Sequence, residues 1–472
     1  MTTARLAQQT AEVVSTTTPD AWIAQQAVEA VSADQPGAKL EQAALEALLT
    51  TTPDVTVEQV VIEVLMTSAP AAFDPSIPFF TFEPDGNVTE RYQWITEIQT
   101  ATSGKQSRIG LRAMPRHGVS YATTAATDDD VTLLDAYIAG WQAGSYYLPT
   151  WQDRAQLAAP IAAGALSAPI PFPQASYRAG DFVGIWTSRT NYELAQLTST
   201  DGGTLQWAAP LLRDWPAGAT MAPVREAWLS PSVEMERFTG ATATAAVSFE
   251  YAKPTTITPL EWADDGLPDT NLPWVWGGLA LFARRPDWIE PPRIVHARRV
   301  RTFGDGSTTP WRDDRSGRTW TTRTERHTIT DREEFEAVLR WHGRRKGKRH
   351  AYLAMAWTSE LTVTGGTDGL GLTIRILDRR HDVLMGYSVG RTHIALHTAA
   401  GWIIRRVVSA KKDGADSVLT LDNPTGAALD AADVLEAYFC EPAHLASDQL
   451  EVTWWDSQTA EIAITSEQIP TP

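Results

Sequence analysis

TDDDVTLLDAYIAGWQAGSYYLPTW (127–151) and TDREEFEAVLRWHGRRKGKRHAYLAMAW (330–357) share one layout. Each opens with a T-x-x-[DE] spacing, Thr127 with Asp130 and Thr330 with Glu333, in which the hydroxyl caps the N3 amide and the carboxylate returns to the cap. Each then runs as a helix to a glycine, Gly144 or Gly347, able to take the left-handed conformation that closes a helix. Each continues into a short apolar strand that ends on a tryptophan, Trp151 or Trp357. The flanks decide whether a whole module is repeated.

Upstream, FEPDGNV (82–88) is echoed by FARRPDWI (282–289), which sets Pro84 and Asp85 against Pro286 and Asp287. A basic, extended stretch follows in both places, RIGLRAMPRHGVSY (108–121) and RSGRTWTTRTERHTI (315–329). Downstream, GTLQW (203–207) and SVLTL (417–421) alternate as strands do. The turns Trp215-Pro216-Ala217-Gly218 and Asn423-Pro424-Thr425-Gly426 share P-x-G, with proline presetting φ and glycine accepting a positive φ. VREAWL (224–229) and VLEAYF (434–439) then match Glu226 with Glu436, Ala227 with Ala437 and Trp228 with Tyr438. ATAAVSFEY (243–251) and TAEIAITSE (459–467) close the two series as alternating strands.

A different repeat occupies the N-terminal region. Pro19, Pro36, Pro53 and Pro70 keep a step of 17, as do Gln8, Gln25, Gln42 and Gln59, and Glu12, Glu29, Glu46 and Glu63. Each unit is too short to fold alone as a helix or strand. Leu40, Ala43, Ala44, Ala47 and Leu48 fit a helical face, whereas Val57, Val60, Val61, Ile62 and Val64 are β-branched and read as a strand, the form favoured here. The plain reading is a flexible Ala/Thr/Pro arm; the sharper one is an arm whose repeats lie on neighbouring subunits.

The chain therefore reads as an arm at 1–74, a β-rich module at 75–252, a linker at 253–273 marked by its Pro/Thr/Asp density, and a second β-rich module at 274–472. The expected fold is mainly β with a few helices (α+β), as two tandem copies of a β-barrel or sandwich-type module behind the repeat arm.

Composition bounds the function. A net charge of -17 and a pI near 5.0 disfavour a nucleic-acid coat, since phosphate binding needs clustered cations. Cys440 is the sole cysteine, so no intrachain disulfide forms. The N-terminus MTTARLAQQTAEVV lacks the layout of a secretion signal, so a cytoplasmic site of synthesis is expected, and no stretch has the apolar length of a membrane span. Nineteen tryptophans suit aromatic cores and broad protein interfaces.

Candidate chemistry is sparse. His381, His393 and His397 lie close in the second module, and H-I-A-L-H puts two of them on one face of a strand, but no HExxH or third carboxylate ligand accompanies them. Asp128, Asp129 and Asp130 are accounted for by a helix N-terminus, and Asp305 with Gly306 lacks the alternating oxygen ligands of a calcium loop. The basic run RWHGRRKGKR (340–349), with Arg298, Arg299 and Arg301, reads as a solvated helix end, or as a contact for an acidic neighbouring subunit or for DNA in a channel. No catalytic, cofactor-binding or metal-binding residue is assigned, no cofactor is expected, and the chain is read as non-enzymatic. The competing reading is a carbohydrate-binding or glycan-degrading receptor-binding protein, with paired carboxylates among 57 acidic residues and tryptophans as sugar platforms. Recurrence of Trp151/Trp357 and Trp228/Tyr438 at matched places favours core packing instead.

The order of a basic extended segment, a capped helix and a strand ending in tryptophan, carried by SGKQSRIGLRAMPRHGVSY, TDDDVTLLDAYIAGWQAGSYYLPTW and their second-half counterparts, resembles the distal tail proteins of long-tailed bacteriophages and gene transfer agents. The resemblance implies a β-barrel-type domain that forms a ring at the tail tip or baseplate of a virion, joining the tail tube protein to hub and fibre proteins. It implies no membrane, and DNA only in passage through the channel. A typical member carries one such module, so this chain would complete a ring either as a hexamer or as a trimer with pseudo-six-fold symmetry. Deleting residues 1–70 is expected to leave soluble modules that assemble less well; ring formation unchanged in negative-stain images would refute a role for the arm in assembly.

Overall fold

Ala243 to Glu250 lie opposite Ala125 to Gly118, and Ala460 to Glu467 lie opposite Ile329 to Thr322, in two long antiparallel ladders that each join the basic strand of one half to its last strand. The computed structural model describes residue 74 and residues 76–469 except 101–105, 113, 142–143, 202, 253–274, 299, 305–310, 314–318, 359, 367–370, 384–390 and 427. The four 17-residue repeats and the linker expected at 253–273 fall outside the described residues. What is described is mainly β, with large antiparallel sheets and two principal helices, α1 (Asp128–Trp141) and α2 (Arg332–Arg345).

The same connections occur in the same order in both halves. A single constant shift in numbering carries Thr127, Asp128 and Trp141 onto Asp331, Arg332 and Arg345. In the first half Asp85 donates its amide to Ala122 O (2.9 Å) and accepts the Thr124 hydroxyl; in the second, Asp287 donates to Arg326 O (2.8 Å) and accepts the Thr328 hydroxyl. This is the Pro-Asp pair expected from FEPDGNV and FARRPDWI. After each helix a short strand, Ser145–Pro149 or Tyr352–Met355, pairs antiparallel with Thr220–Leu229 or Glu436–Leu445. Its other side meets a parallel partner, through the Phe79–Tyr147 bridge or through Leu279–Phe282. The chain then leaves for a smaller sheet, in the order Ser167–Pro169, Thr204–Trp207, Tyr192–Ser199, Phe182–Trp186 in the first half. In the second the order is Thr373–Leu377, Asp416–Leu421, Gly401–Asp413, His393–Thr398. Each small sheet encloses its own core, around Leu197, Leu205 and Trp215 or around Ile374, Ile394 and Leu419.

Two expectations shift. The α2 cap is Asp331, not Thr330: the helix starts one residue later than T-x-x-E implies, and the Asp331 carboxylate accepts the Glu333 amide at 3.0 Å. In α1 the Thr127 hydroxyl does accept the Asp130 amide, at 3.1 Å. The match of VREAWL to VLEAYF also slides along its strand. By ladder position Ala227, opposite Tyr251, corresponds to Ala443, opposite Gln468, while Ala437 sits nearer the start, opposite Leu396. A short Glu-Ala-aromatic string has low information, and both strands alternate, so a displaced match keeps the right face. At the end of α2, Lys346 (φ 46) and Gly347 (φ 65) take the left-handed conformation; a Cβ on Gly347 would meet Asp448 Oδ1 at 2.3 Å, so glycine is required there twice over. Replacing Asp331 by alanine should lower stability by about 1 kcal/mol, read as a lower denaturant midpoint with unchanged slope; an unchanged midpoint would remove Asp331 as the cap.

Candidate assembly interface between the halves

V-T-E-R-Y-Q (88–93) is a strand of alternating burial, with Val88, Glu90 and Tyr92 turned inward. One edge pairs antiparallel with Arg116–Ala125 of its own half. The other edge pairs over its whole length with Gln449–Trp454 of the second half, from Val88 opposite Trp454 to Gln93 opposite Gln449. The sheet therefore runs unbroken from one half into the other, and one apolar cluster continues beneath it, from Phe80, Tyr92 and Phe249 to Phe335, Val452, Trp454 and Ile462.

A carboxylate occupies the centre of this junction. Glu90, only 2% exposed, accepts hydrogen bonds from His117 Nε2 (3.0 Å) and Gln152 Nε2 (2.7 Å) of the first half, and from Trp454 Nε1 (2.7 Å) of the second. Arg332, at the start of α2, lies over the Trp454 ring at 4.3 Å and forms an ion pair with buried Asp153 of the first half. Asp153 also accepts the Ser176 amide (2.9 Å) and hydroxyl (2.5 Å). Burial alone would raise the Glu90 pKa; the His117 and Trp454 donors and the Arg332 charge outweigh it and hold the group at about 2. Burial lowers the pKa of His117, outweighing the hydrogen bond and charge of Glu90 that raise it, and the ring stacks on Tyr92 at 4.3 Å. Donors from both halves thus converge on one ionised group, which is tolerated in the interior only because it is fully bonded.

A second contact lies at the end of the junction. Asp448 accepts the Thr96 amide (2.8 Å) and hydroxyl (2.7 Å) of the first half and the Lys348 amide (2.8 Å) of its own, while its carbonyl accepts the Trp94 amide (2.9 Å). Arg108, on the hairpin formed by Thr96–Thr100 and Gln106–Gly110, donates to Lys348 O at 2.8 Å. The basic run at 340–349 is accordingly not a solvated helix end: Trp341, His342, Gly343, Arg345, Lys346 and Gly347 are buried, and the loop after α2 is the platform on which the first-half hairpin rests. Arg340, Arg344, Lys348 and Arg349 are partly exposed, Arg340 beside Glu336 at 3.4 Å.

The remaining candidates lie elsewhere. His393 and His397 do share a strand, His393–Thr398; His393 is buried against Trp276 (4.3 Å), and His397 stacks on Trp402 (4.5 Å) near Glu436 (4.0 Å). His381 is buried near Phe439. Among the described residues no three His, Cys, Asp or Glu side chains are grouped to hold a metal ion, and no helix is long and apolar enough to cross a membrane. Asp128, Asp129 and Asp130 form the first turn of α1, with Asp130 paired to Arg189. Asp305, Gly306 and Arg299 fall outside the described residues. Trp94, Trp151, Trp186, Trp207, Trp215, Trp320, Trp341, Trp357 and Trp454 are buried, whereas Trp228 is 48% exposed and does not pack in the core as its match with Tyr438 suggested. A separate buried cluster in the second half sets Arg323 at 3.6 Å from Glu441 and 3.9 Å from Glu325, and burial raises both carboxyl groups to about 7.

Glu90, His117, Gln152, Arg332, Asp448 and Trp454 were not singled out from sequence. One signal was available: a glutamate at the inward position of an alternating strand, between Val88 and Tyr92, is out of place unless something bonds it. No family model matches this chain, and no curated protein matches it.

The folded pKa of Glu90, about 2, lies below its ordinary value of 4.5, so its contribution to stability is complete above that value and disappears as pH falls through about 2. Glu90→Gln should therefore lose stability against wild type at pH 6, with the gap narrowing towards pH ~2. Urea unfolding at a series of pH values measures this; a gap independent of pH would show that Glu90 is not held ionised.

Proposed function

We propose that this chain is a structural, non-catalytic ring component of a virion tail tip, in which two tandem copies of one β-rich module fill two neighbouring positions of the ring. The observation that carries the reading is the junction itself. The edge strand of one half extends the sheet of the other through a full antiparallel ladder, with a shared core and a buried polar lock beneath it. That is the construction expected where modules sit side by side around a tube: continuous backbone pairing between neighbours, which leaves no exposed edge and needs neither metal nor disulfide.

The matched order of strands, helix and smaller sheet in the two halves supports the duplication. The resemblance to distal tail proteins supports the placement, with the tail tube protein on one side of the ring and hub and fibre proteins on the other. Two modules per chain make a trimer the natural way to meet a six-fold tube, and this stoichiometry is preferred over a hexamer of twelve modules. The N-terminal repeats would then reach across neighbouring subunits.

Purified full-length protein should form closed rings of three chains with six similar lobes, seen by negative-stain class averaging and by mass from light scattering. A protein that stays monomeric at the concentrations used for imaging would overturn the reading.

A further inference from the structure

Within the continuous sheet eight strands follow one another in the order Arg293–Arg298, Thr319–Ile329, Ala460–Gln468, Gln449–Trp454, Val88–Gln93, Arg116–Ala125, Thr242–Tyr251 and Glu234–Thr239. Its two ends are related to its middle. Thr89 lies opposite Ser120 as Arg293 lies opposite Thr324, so Arg293–Arg298 is the second-half counterpart of Val88–Gln93. Trp454 lies opposite Ala460 as Arg237 lies opposite Ala243, so Glu234–Thr239 is the first-half counterpart of Gln449–Trp454. The two strands joined at the centre of the sheet are the counterparts of the two at its ends. Among the described strands, Arg293–Arg298 pairs with Thr319–Ile329 alone and Glu234–Thr239 with Thr242–Tyr251 alone.

The geometry points to a second copy of this chain as the occupant of both edges: strand Arg293–Arg298 of one copy adds antiparallel to Glu234–Thr239 of the next, with Arg293 opposite Glu236, Ile294 opposite Met235 and Val295 opposite Glu234. This deepens the ring reading and rests on its premise that the halves are copies of one module. The register is carried over from the internal junction, where Thr89 faces Thr453, Glu90 faces Val452 and Arg91 faces Glu451.

Three independent features fit. The Trp94 amide bonds across the internal junction to Asp448 O, so even-numbered residues of that strand direct their amides at the partner. By the same alternation Ile294 and His296 direct theirs outward, whereas Pro292, which has no amide to offer, falls at the strand's start. On the other edge the Ser230 amide bonds inward to Ser248 O, which leaves Val233 and Met235 to face outward. Side chains complement one another as well. Ile294, 41% exposed, would meet Met235, which packs against the main core, and cationic Arg293 would meet anionic Glu236. Finally, the hairpin of Arg301–Phe303 and Trp311–Asp313 corresponds to the one that rests on the second half; the rings of its Phe303 (46% exposed) and Trp311 (64%) lie tilted 5.5 Å apart and would be carried against the neighbouring copy. An exposed ladder edge beside exposed aromatics is the ordinary signature of a sheet waiting for another chain.

The two junctions are not interchangeable. Ile294 stands where Glu90 does and Arg237 where Trp454 does, so the buried polar lock is confined to the junction within a chain, and the junction between chains is apolar and charge-paired. Association between copies should therefore weaken with salt, while the fold of each chain does not.

The test uses full-length protein carrying Arg293→Cys with Glu236→Cys, and separately Val295→Cys with Glu234→Cys. Both are non-hydrogen-bonded pairs in the inferred register, where side chains approach most closely. Cys440 is buried and does not compete. Mild oxidation should give covalently closed trimers on non-reducing gels, and neither single variant should exceed a dimer. Independently, Glu236→Arg should weaken association roughly tenfold, and adding Arg293→Glu should restore it. Circular dichroism and melting of the separated chains check that each variant is folded. Closed rings that never cross-link at either pair would overturn the edge pairing and leave the ring reading standing. Cross-linked open chains of indefinite length would support the edge pairing and overturn the closed ring. Monomers under all conditions would overturn both.

Discussion

Everything in this molecule depends on the ladder between Val88–Gln93 and Gln449–Trp454. Without it the chain would be two sheets, each ending in an unsatisfied row of amides and carbonyls; with it, the sheets become one and their apolar undersides close over a common core. Phe73–Pro472 accordingly forms one compact unit rather than two. Backbone pairing fixes direction and spacing but is indifferent to sequence, so something else must set the register. Glu90 does this: it is satisfied only when Trp454 stands opposite Val88, and a slip by one residue would turn the carboxylate to the wrong face.

The cost of that arrangement explains its surroundings. An ionised group with 2% exposure must be answered by donors and by charge, and the answers come from separate elements: His117 from the adjacent strand, Gln152 from the turn after the helix-following strand, Trp454 from across the junction, and Arg332 from the N-terminus of α2. Arg332 is itself held by Asp153, and Asp153 by Ser176. A cation at a helix N-terminus opposes the helix dipole, and its presence there makes sense only through its partners in the other half. The hydrogen bonds therefore add little net stability individually but make wrong pairings expensive, which is the use best attested for buried polar groups.

How much of this could be read from sequence follows from the physics of each element. The two helices and the strands that follow them were legible because helix ends and alternation are local patterns, though T-x-x-E set the second cap one residue early, and the match of Pro84-Asp85 with Pro286-Asp287 was legible because each Asp bonds a strand nearby in the same half. The slide of VREAWL against VLEAYF shows the limit: alternation preserves face, not position. The basic run at 340–349 was misread because charge counts say nothing about where lysine and arginine stems lie, and here they run under a hairpin more than two hundred residues away in the chain. The lock was hidden for the same reason. Glu90 and Trp454 are 364 positions apart, and only the anomaly of an acid on an inward face marked one of them.

An internal junction and its two unfilled counterparts also say something about how such a chain could arise. If identical modules once met through identical edges, every junction would have had the same chemistry. Fusion makes one junction permanent, and there the residues are freed from any need to release or to discriminate; Glu90, Gln152, Arg332 and Trp454 could then become a buried network that a reversible interface, desolvated anew at each encounter, would be slow to form. On that premise the edges at 293–298 and 234–239 would retain what an encounter between separate molecules needs, exposed charges of opposite sign flanking an apolar pair. The two kinds of junction also differ in what a wrong pairing would leave unmet: with Ile294 in the place of Glu90, the Trp454 indole would have no acceptor. In the proposed ring, that unmet donor would favour head-to-tail order through side-chain chemistry rather than through backbone pairing.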